Sequence, residues 1–148
     1  MSGSARWLRP RGERRDEMFR PDDEERTVKY LLMIYASTED WEALSESERA
    51  QMDVQYRQLL ADCTASGEWL AGDPLAGPPS GRAVRVRDGQ TLVTDGPYLE
   101  LKEHMAGYWL VDCESMDRAV ELAARFPDAR HWGVEVRPVL GLGGAAEL

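Results

Sequence analysis

A nearly continuous apolar run, Thr27–Ala36, constrains the fold of this chain more than any other stretch. Its residues are mostly large and aliphatic, with Tyr30 and Tyr35 among them. A strand with such a composition is either buried on both faces or central in its sheet. We therefore expect the remaining elements to assemble around this strand.

Two helices are predicted from their end signals. Ser45 and Glu48 have the spacing of a capping box, and Gly67 is placed to end that helix in a left-handed conformation. Ser115 is the predicted cap of the second helix, which ends before Pro127. The apolar stripe of the first helix comprises Met52, Tyr56, Leu59, Leu60 and Cys63, and that of the second Met116, Ala119, Val120 and Ala123.

Five further strands are predicted from short alternating or apolar runs. They are Glu68–Ala71, Arg82–Arg87, Gln90–Thr94, Gly107–Asp112 and Trp132–Val139. Asp88-Gly89 is a two-residue hairpin turn, so the two strands beside it must pair antiparallel, with Val84 and Val86 on one face and Arg85 and Arg87 on the other. The segments Ser37–Leu44 and 72–81 are expected to be connections.

The resulting order is strand, helix, strand, hairpin, strand, helix, strand. Two strand–helix–strand units around a hairpin predict an α+β fold, a ferredoxin-like antiparallel sheet with two helices on one face. The domain is expected over residues 27–140, followed by a flexible end at 141–148. Residues 1–26 carry balanced charges and few apolar side chains, which predicts a disordered tail or, with Met18 as the natural start, a mis-called N-terminus.

Composition excludes several classes of function. The net charge of −9 opposes nucleic acid as the main ligand and opposes binding to an anionic membrane. No apolar run is long enough to span a membrane and no secretory signal is evident, so we expect a cytoplasmic protein. The two cysteines form no CxxC pair, and segment 72–81 lacks the glycine patterns of nucleotide sites, so neither a metal nor a cofactor is predicted.

The run Asp95-Gly96-Pro97-Tyr98 is a turn signal followed by several ionisable residues. Together with Lys102-Glu103 and Gly107-Tyr108-Trp109, it resembles the DGPF-type members of the YCII-related domain family, although Tyr98 stands where that family's name implies Phe. The first strand and the ending Val134–Pro138 are similar as well, so the resemblance covers residues 28–139. It implies that two copies pair their sheets into a dimeric α+β barrel. It also implies association with an extracytoplasmic-function sigma factor, because such proteins are often encoded beside one.

The candidate catalytic residues are Asp95, Glu103 and His104. Asp95 is a general base if it lies at the mouth of a cleft and burial raises its pKa; otherwise it is a turn residue bonded to backbone amides. His104 can pair with Asp95 or Glu103 for proton transfer, or lie in an exposed loop. Lys102 and Glu103 can bind an anionic ligand and polarise a carbonyl, or form a surface ion pair.

Four more residues are candidates for ligand binding. Tyr35, Tyr98 and Tyr108 offer a hydroxyl to a ligand or pack in the core or an interface. Arg137 can hold a carboxylate with two hydrogen bonds, or form an intramolecular ion pair. Two functions follow: a small-molecule protein with cofactor-independent acid/base chemistry of the isomerase or lyase type, or a dimeric interaction module that acts through protein contacts.

Overall fold

The computed structural model of the protein describes residues 28–141. The strands are β1 (Val28–Ala36), β2 (Trp69–Pro74), β3 (Arg82–Arg87), β4 (Gln90–Asp95), β5 (His104–Cys113) and β6 (Gly133–Pro138). The helices are α1 (Thr38–Ala43), α2 (Glu46–Ser66), α3 (Met116–Ala124) and α4 (Asp128–His131), and Pro78–Ser80 forms a short 3-10 turn. The predictions for residues 1–26, and that for the end beyond 141, lie outside the described residues.

Four of the strands form one antiparallel sheet in the order β2-β5-β1-β6. The apolar run is therefore central in its sheet, as predicted, with β5 on one side and β6 on the other. Tyr30, Leu32 and Ile34 on one face of β1 are buried, whereas Leu31 and Met33 on the opposite face are only half-buried. The alternative of a strand buried on both faces is wrong for the single chain, because no described helix covers the second face.

Both long helices pack on the buried face of the sheet, which confirms the predicted α+β class. Leu59 and Cys63 of α2 and Ala119 and Leu122 of α3 share one core with the buried side chains of β1 and β5. Trp109 lies at the centre of this core, with its ring 4.7 Å from that of Phe126 in an edge-to-face arrangement. Burial of this many large apolar side chains is the main source of the domain's stability.

The predicted helix signals are confirmed. The Ser45 amide donates to Glu48 Oε1 at 2.8 Å and the Glu48 amide donates to Ser45 Oγ at 3.0 Å, which completes the capping box. Gly67 ends α2 with φ 83°, in the left-handed region that favours glycine. At the start of α3, Ser115 Oγ accepts from the Arg118 amide at 3.1 Å.

Four predictions about element limits need correction. Strand β2 continues to Pro74, so residues 72–74, which were expected to belong to a connection, pair with β5. Residues 37–44 were expected to be a connection, but most of them form helix α1. Ser37 caps this helix, because its hydroxyl oxygen accepts a hydrogen bond from the Asp40 amide. Strand β5 starts at His104 and not at Gly107, since pairing with β1 continues to Ala36. The predicted stripe of α3 is rotated: Leu122 is buried between Ala119 and Ala123, whereas Met116 and Val120 are exposed, because that side of the helix borders an open groove beside β6.

Strands β3 and β4 form a separate two-stranded sheet, as the Asp88-Gly89 turn predicted. Asp88 and Gly89 both have positive φ, at 51° and 77°, which is the geometry that a tight hairpin turn needs. The hairpin follows β2 after a connection that contains the 3-10 turn, and it is exposed along almost its whole length. Within residues 28–141, no helix is long and apolar enough to cross a membrane.

Candidate functional site

The face of the sheet opposite the helices, here called the open face, carries several of the predicted ligand-binding side chains. Tyr35 lies on it at the end of β1, Tyr108 lies opposite Met33, and Arg137 lies opposite Leu31. Directly paired residues point to the same side of a sheet, so these side chains share one surface. Its tyrosines, arginine and half-buried aliphatic residues make it amphipathic, which suits either a ligand or a second protein surface.

A recess of about 370 Å³ lies at the Tyr35 end of the open face. It is lined by Tyr35 and by Leu101, Lys102 and Glu103, the three residues that lead into β5. The pairing of β1 with β5 shifts register between Ile34 and Tyr35, so the strand is irregular where it meets this segment. Three of the residues predicted from sequence are therefore brought together by the fold.

Asp40 is a member of this site that the sequence analysis missed. Its Oδ2 lies 3.8 Å from Lys102 Nζ and accepts a hydrogen bond from Trp132 Nε1 at 3.3 Å. The carboxylate thus holds the lysine beside the recess and is itself held by the indole. A sequence signal existed, because Ser37 and Asp40 have the spacing of a helix start, which places Asp40 in the first turn of a helix directly after β1.

Asp95 does not enter the recess. It is the last residue of β4, its side chain is 86% exposed, and its Oδ1 lies 3.6 Å from Arg82 Nε. The adjoining turn is closed by the Gly96 amide, which donates to the Gly81 carbonyl at 3.0 Å, and the Gly96–Pro97 peptide bond is cis. The burial that would make Asp95 a general base is therefore not provided within one chain, and its observed partner is an arginine across the hairpin.

His104 is separated from the recess by the pleat of β5. It lies opposite Ala36, whose side chain is buried on the helix side of the sheet, so the imidazole points to that side and not toward Tyr35. Among the described residues, His104 forms neither a hydrogen bond nor an ion pair with Asp95 or Glu103. The predicted histidine–carboxylate pair is consequently not formed in the single chain.

Tyr98 lies apart from the other two tyrosines. Its ring is exposed, and the guanidinium of Arg85 lies 4.9 Å from the ring centre, a cation–π contact between the hairpin and the segment that follows it. This contact ties the hairpin to the residues that lead to Lys102 and Glu103. Tyr98 does not line the recess, and the contact observed for its ring is with the hairpin.

The two cysteine thiols and the Glu68–Arg118 ion pair contain reactive groups, but their contacts indicate structural roles. Cys63 and Cys113 are buried, and burial raises the pKa of both thiols, that of Cys113 to about 11, so neither is a nucleophile near neutral pH. Glu68 accepts two hydrogen bonds from Arg118, at 2.8 and 3.0 Å, and this pairing lowers the pKa of its carboxyl. That ion pair joins the residue just before β2 to α3, and neither side chain lines the recess.

The recess combines a phenol, an ammonium and a carboxylate. An ammonium attracts an anionic substituent, a phenol donates a hydrogen bond to a carbonyl oxygen, and a carboxylate accepts a proton. Within residues 28–141, no cluster of histidine, cysteine, aspartate and glutamate has the geometry of a metal site. These side chains can therefore bind an anion, donate a hydrogen bond and accept a proton.

The comparisons with known proteins agree with the extent of the described domain. The sequence profile of the YCII-related domain matches residues 28–142. An uncharacterized protein of Rhizobium meliloti (strain 1021) is 42% identical over 115 residues, an alignment that covers 74% of this chain and 90% of that protein. Every residue of the recess, together with Asp40 and the hairpin, lies inside the matched region.

Proposed function

Because this chain belongs to the YCII-related domain family, we propose that its domain binds a small anionic carbonyl compound in the recess at the end of the open face. The run Asp95-Gly96-Pro97 supports the finer assignment to the DGPF-type members of that family. The observation that carries the proposal is that Tyr35, Lys102 and Glu103, which come from two distant parts of the chain, line one recess.

The chemistry proposed is cofactor-independent proton abstraction. Lys102 attracts the carboxylate of the ligand, and the Tyr35 hydroxyl donates to the carbonyl oxygen as negative charge develops there. Glu103 removes a proton from the carbon next to the carbonyl, and the electron pair of that C–H bond forms an enolate. Return of the proton to another carbon completes an isomerisation, and loss of a leaving group from the adjacent carbon completes an elimination.

We also propose that a second copy of the chain closes the site. The open face exposes Leu31, Met33 and Leu110 in part, although cores of folded domains normally bury such rows of aliphatic side chains. Pairing two ferredoxin-like sheets through their open faces would bury these residues in a dimeric α+β barrel. It would also exclude water from the recess, which strengthens every electrostatic interaction inside it.

The catalytic proposal is tested by exchange of carbon-bound protons. The protein is incubated in D₂O with a panel of small 2-oxo acids, and loss of the signal of the proton beside the carbonyl is followed by NMR. We expect catalysed exchange for at least one compound. The exchange rate of the Glu103→Gln variant should be lower than that of the wild type by at least about 100-fold. Lys102→Met should raise the concentration of 2-oxo acid needed for half-saturation by about tenfold, because it removes one charge-assisted contact.

The matched control is Glu100→Gln. Glu100 lies three residues before Glu103 in the same exposed segment but does not line the recess, so its removal should leave the exchange rate unchanged. Equal rates for Glu103→Gln and Glu100→Gln would show that Glu103 is not the base. Absence of catalysed exchange with every compound would remove the proposed reaction altogether.

A further inference from the structure

The β3–β4 hairpin has one face composed almost entirely of β-branched side chains. Val84 lies opposite Val93 and Val86 lies opposite Thr91, so these four residues, here called the valine face, point to the same side. Val84, Val86 and Val93 are 58%, 65% and 57% exposed. At the base of the hairpin, this face ends in the ion pair between Arg82 and Asp95.

Such a face is unusual on an element that no other part of residues 28–141 covers. Alternation of branched apolar and polar residues is the pattern of a strand with one face packed against other protein. Here the opposite face is mixed: it carries Arg85 and Arg87 together with Gln90 and Thr94, and also Ala83 and Leu92. A two-stranded hairpin alone is at best marginally stable in water. Within the described residues, the hairpin forms a sheet with no third strand. Residues 28–141 of the same chain therefore do not bury its apolar face, and burial of that face needs another partner.

We propose that the valine face packs against a second copy of this chain. The hairpin carries three arginines and two aspartates, whereas the other described residues carry eight basic and seventeen acidic side chains. A weakly cationic arm is therefore attached to a strongly acidic body, and a two-fold arrangement places each arm against the body of the other copy. An apolar face that is always exposed in the monomer needs a partner that is always present. A second copy of the chain meets this condition, because its concentration equals that of the chain itself.

The docked hairpin also holds the recess. At its base, the Gly96 amide donates to the Gly81 carbonyl, and the Arg85 guanidinium lies over the Tyr98 ring, so the segment that continues to Leu101, Lys102 and Glu103 moves with the hairpin. Contact with the second copy thus fixes the segment that lines the ligand site. This inference rests on the proposed function for the role of the recess, and it adds a second surface of contact with the same partner.

The test compares two charge-matched double variants by sedimentation velocity over a concentration series. Val84→Glu with Val93→Glu places two carboxylates on the valine face, and Gln90→Glu with Thr94→Glu places two on the opposite face of the same hairpin. Both variants remove the same cationic excess of the hairpin, so we expect the second to weaken the dimer only slightly relative to the wild type. The first should have a dissociation constant about 100-fold or more above that of the second, because its carboxylates would be buried without partners.

Hydrogen exchange supplies a second readout. Amides of β4 should be protected in the dimer and should exchange rapidly in the Val84→Glu/Val93→Glu variant. A wild-type chain that stays monomeric, or a valine-face variant that dimerises as tightly as the control, would overturn the inference. Leu31→Glu separates the two proposals. If both contacts exist, Leu31→Glu and the valine-face variant each weaken the dimer. If only Leu31→Glu dissociates it, the hairpin inference fails, and if only the valine-face variant does, the hairpin contact is supported and the open-face pairing is removed.

Discussion

Gly72 is the position where the packing of this domain makes the sharpest prediction. It lies on β2 opposite Trp109, just beyond the register shift that separates Trp69 from Ala71. A Cβ added at Gly72 would clash with Trp109 Cδ1 and would lie 2.6 Å from the Tyr108 carbonyl oxygen and 3.0 Å from Trp109 Cα. Two of these three atoms belong to the backbone of β5, so they cannot move aside without shifting the strand.

The indole of Trp109 cannot move aside easily either. It is almost fully buried, it packs edge-to-face on Phe126 at 4.7 Å, and its Nε1 donates to the Tyr56 hydroxyl at 3.2 Å. Overpacking at such a site destabilises the folded state by about 1–3 kcal/mol. Replacement of glycine by alanine also restricts the unfolded chain, which offsets about 0.4–1 kcal/mol. The midpoints of these two ranges leave a net cost, so we expect Gly72→Ala to lower the free energy of unfolding by about 1.3 kcal/mol, and by no more than about 2.6 kcal/mol.

Urea unfolding followed by tryptophan fluorescence measures this change, and the control is Gly77→Ala. Gly77 has φ −62° and ψ 160°, which alanine adopts freely, and an added Cβ would meet only Pro79 Cδ at 3.6 Å. Gly77→Ala should be unchanged or more stable by up to about 1 kcal/mol. If Gly72→Ala were as stable as Gly77→Ala, the close approach of β2 to Trp109 described here would be wrong.

Two further predictions concern polar contacts of the core and its edge. Tyr56→Phe should destabilise the domain by about 1–3 kcal/mol in urea unfolding, because it leaves the buried Trp109 Nε1–H without its acceptor; no change would mean that another acceptor replaces the hydroxyl. Arg118 lowers the pKa of Glu68, so this pair stabilises the fold above the unfolded glutamate pKa of about 4.3 and the stabilisation is lost as pH falls through the folded pKa. The difference in unfolding free energy between wild type and Glu68→Gln should therefore be about 1–2 kcal/mol at pH 6 and shrink toward pH 3, and a difference independent of pH would contradict it.

The local elements of this fold were predictable because their signals are local. The Ser45 capping box, the Gly67 helix end and the Asp88-Gly89 turn each depend on residues within a few positions of one another, and all three are found as predicted. Limits set by pairing were not predictable in this way. Strand β5 starts at His104 because His104 pairs with Ala36. No residue near His104 in the sequence predicts that pairing.

The candidate site shows the same division. Tyr35, Lys102 and Glu103 were singled out by residue type and do line one recess, although nothing in the sequence indicated that they meet. His104 immediately follows Glu103 in the chain, and a sequence cannot show on which face of a strand each neighbour emerges until the register is fixed. Asp95 was expected to face an enclosed space, and instead it pairs with Arg82 in the solvent.

The sequence by itself determined a central apolar strand, two capped helices and a tight hairpin, because propensity, capping and turn geometry act over a few residues. Only the tertiary structure decided that β2, and not the hairpin, pairs with β5. It also decided that, within residues 28–141, one face of the sheet and one face of the hairpin have no other element against them. The physical reason is that strand order and register depend on contacts between distant parts of the chain. Those contacts are selected by how well the whole core packs, and not by any single stretch.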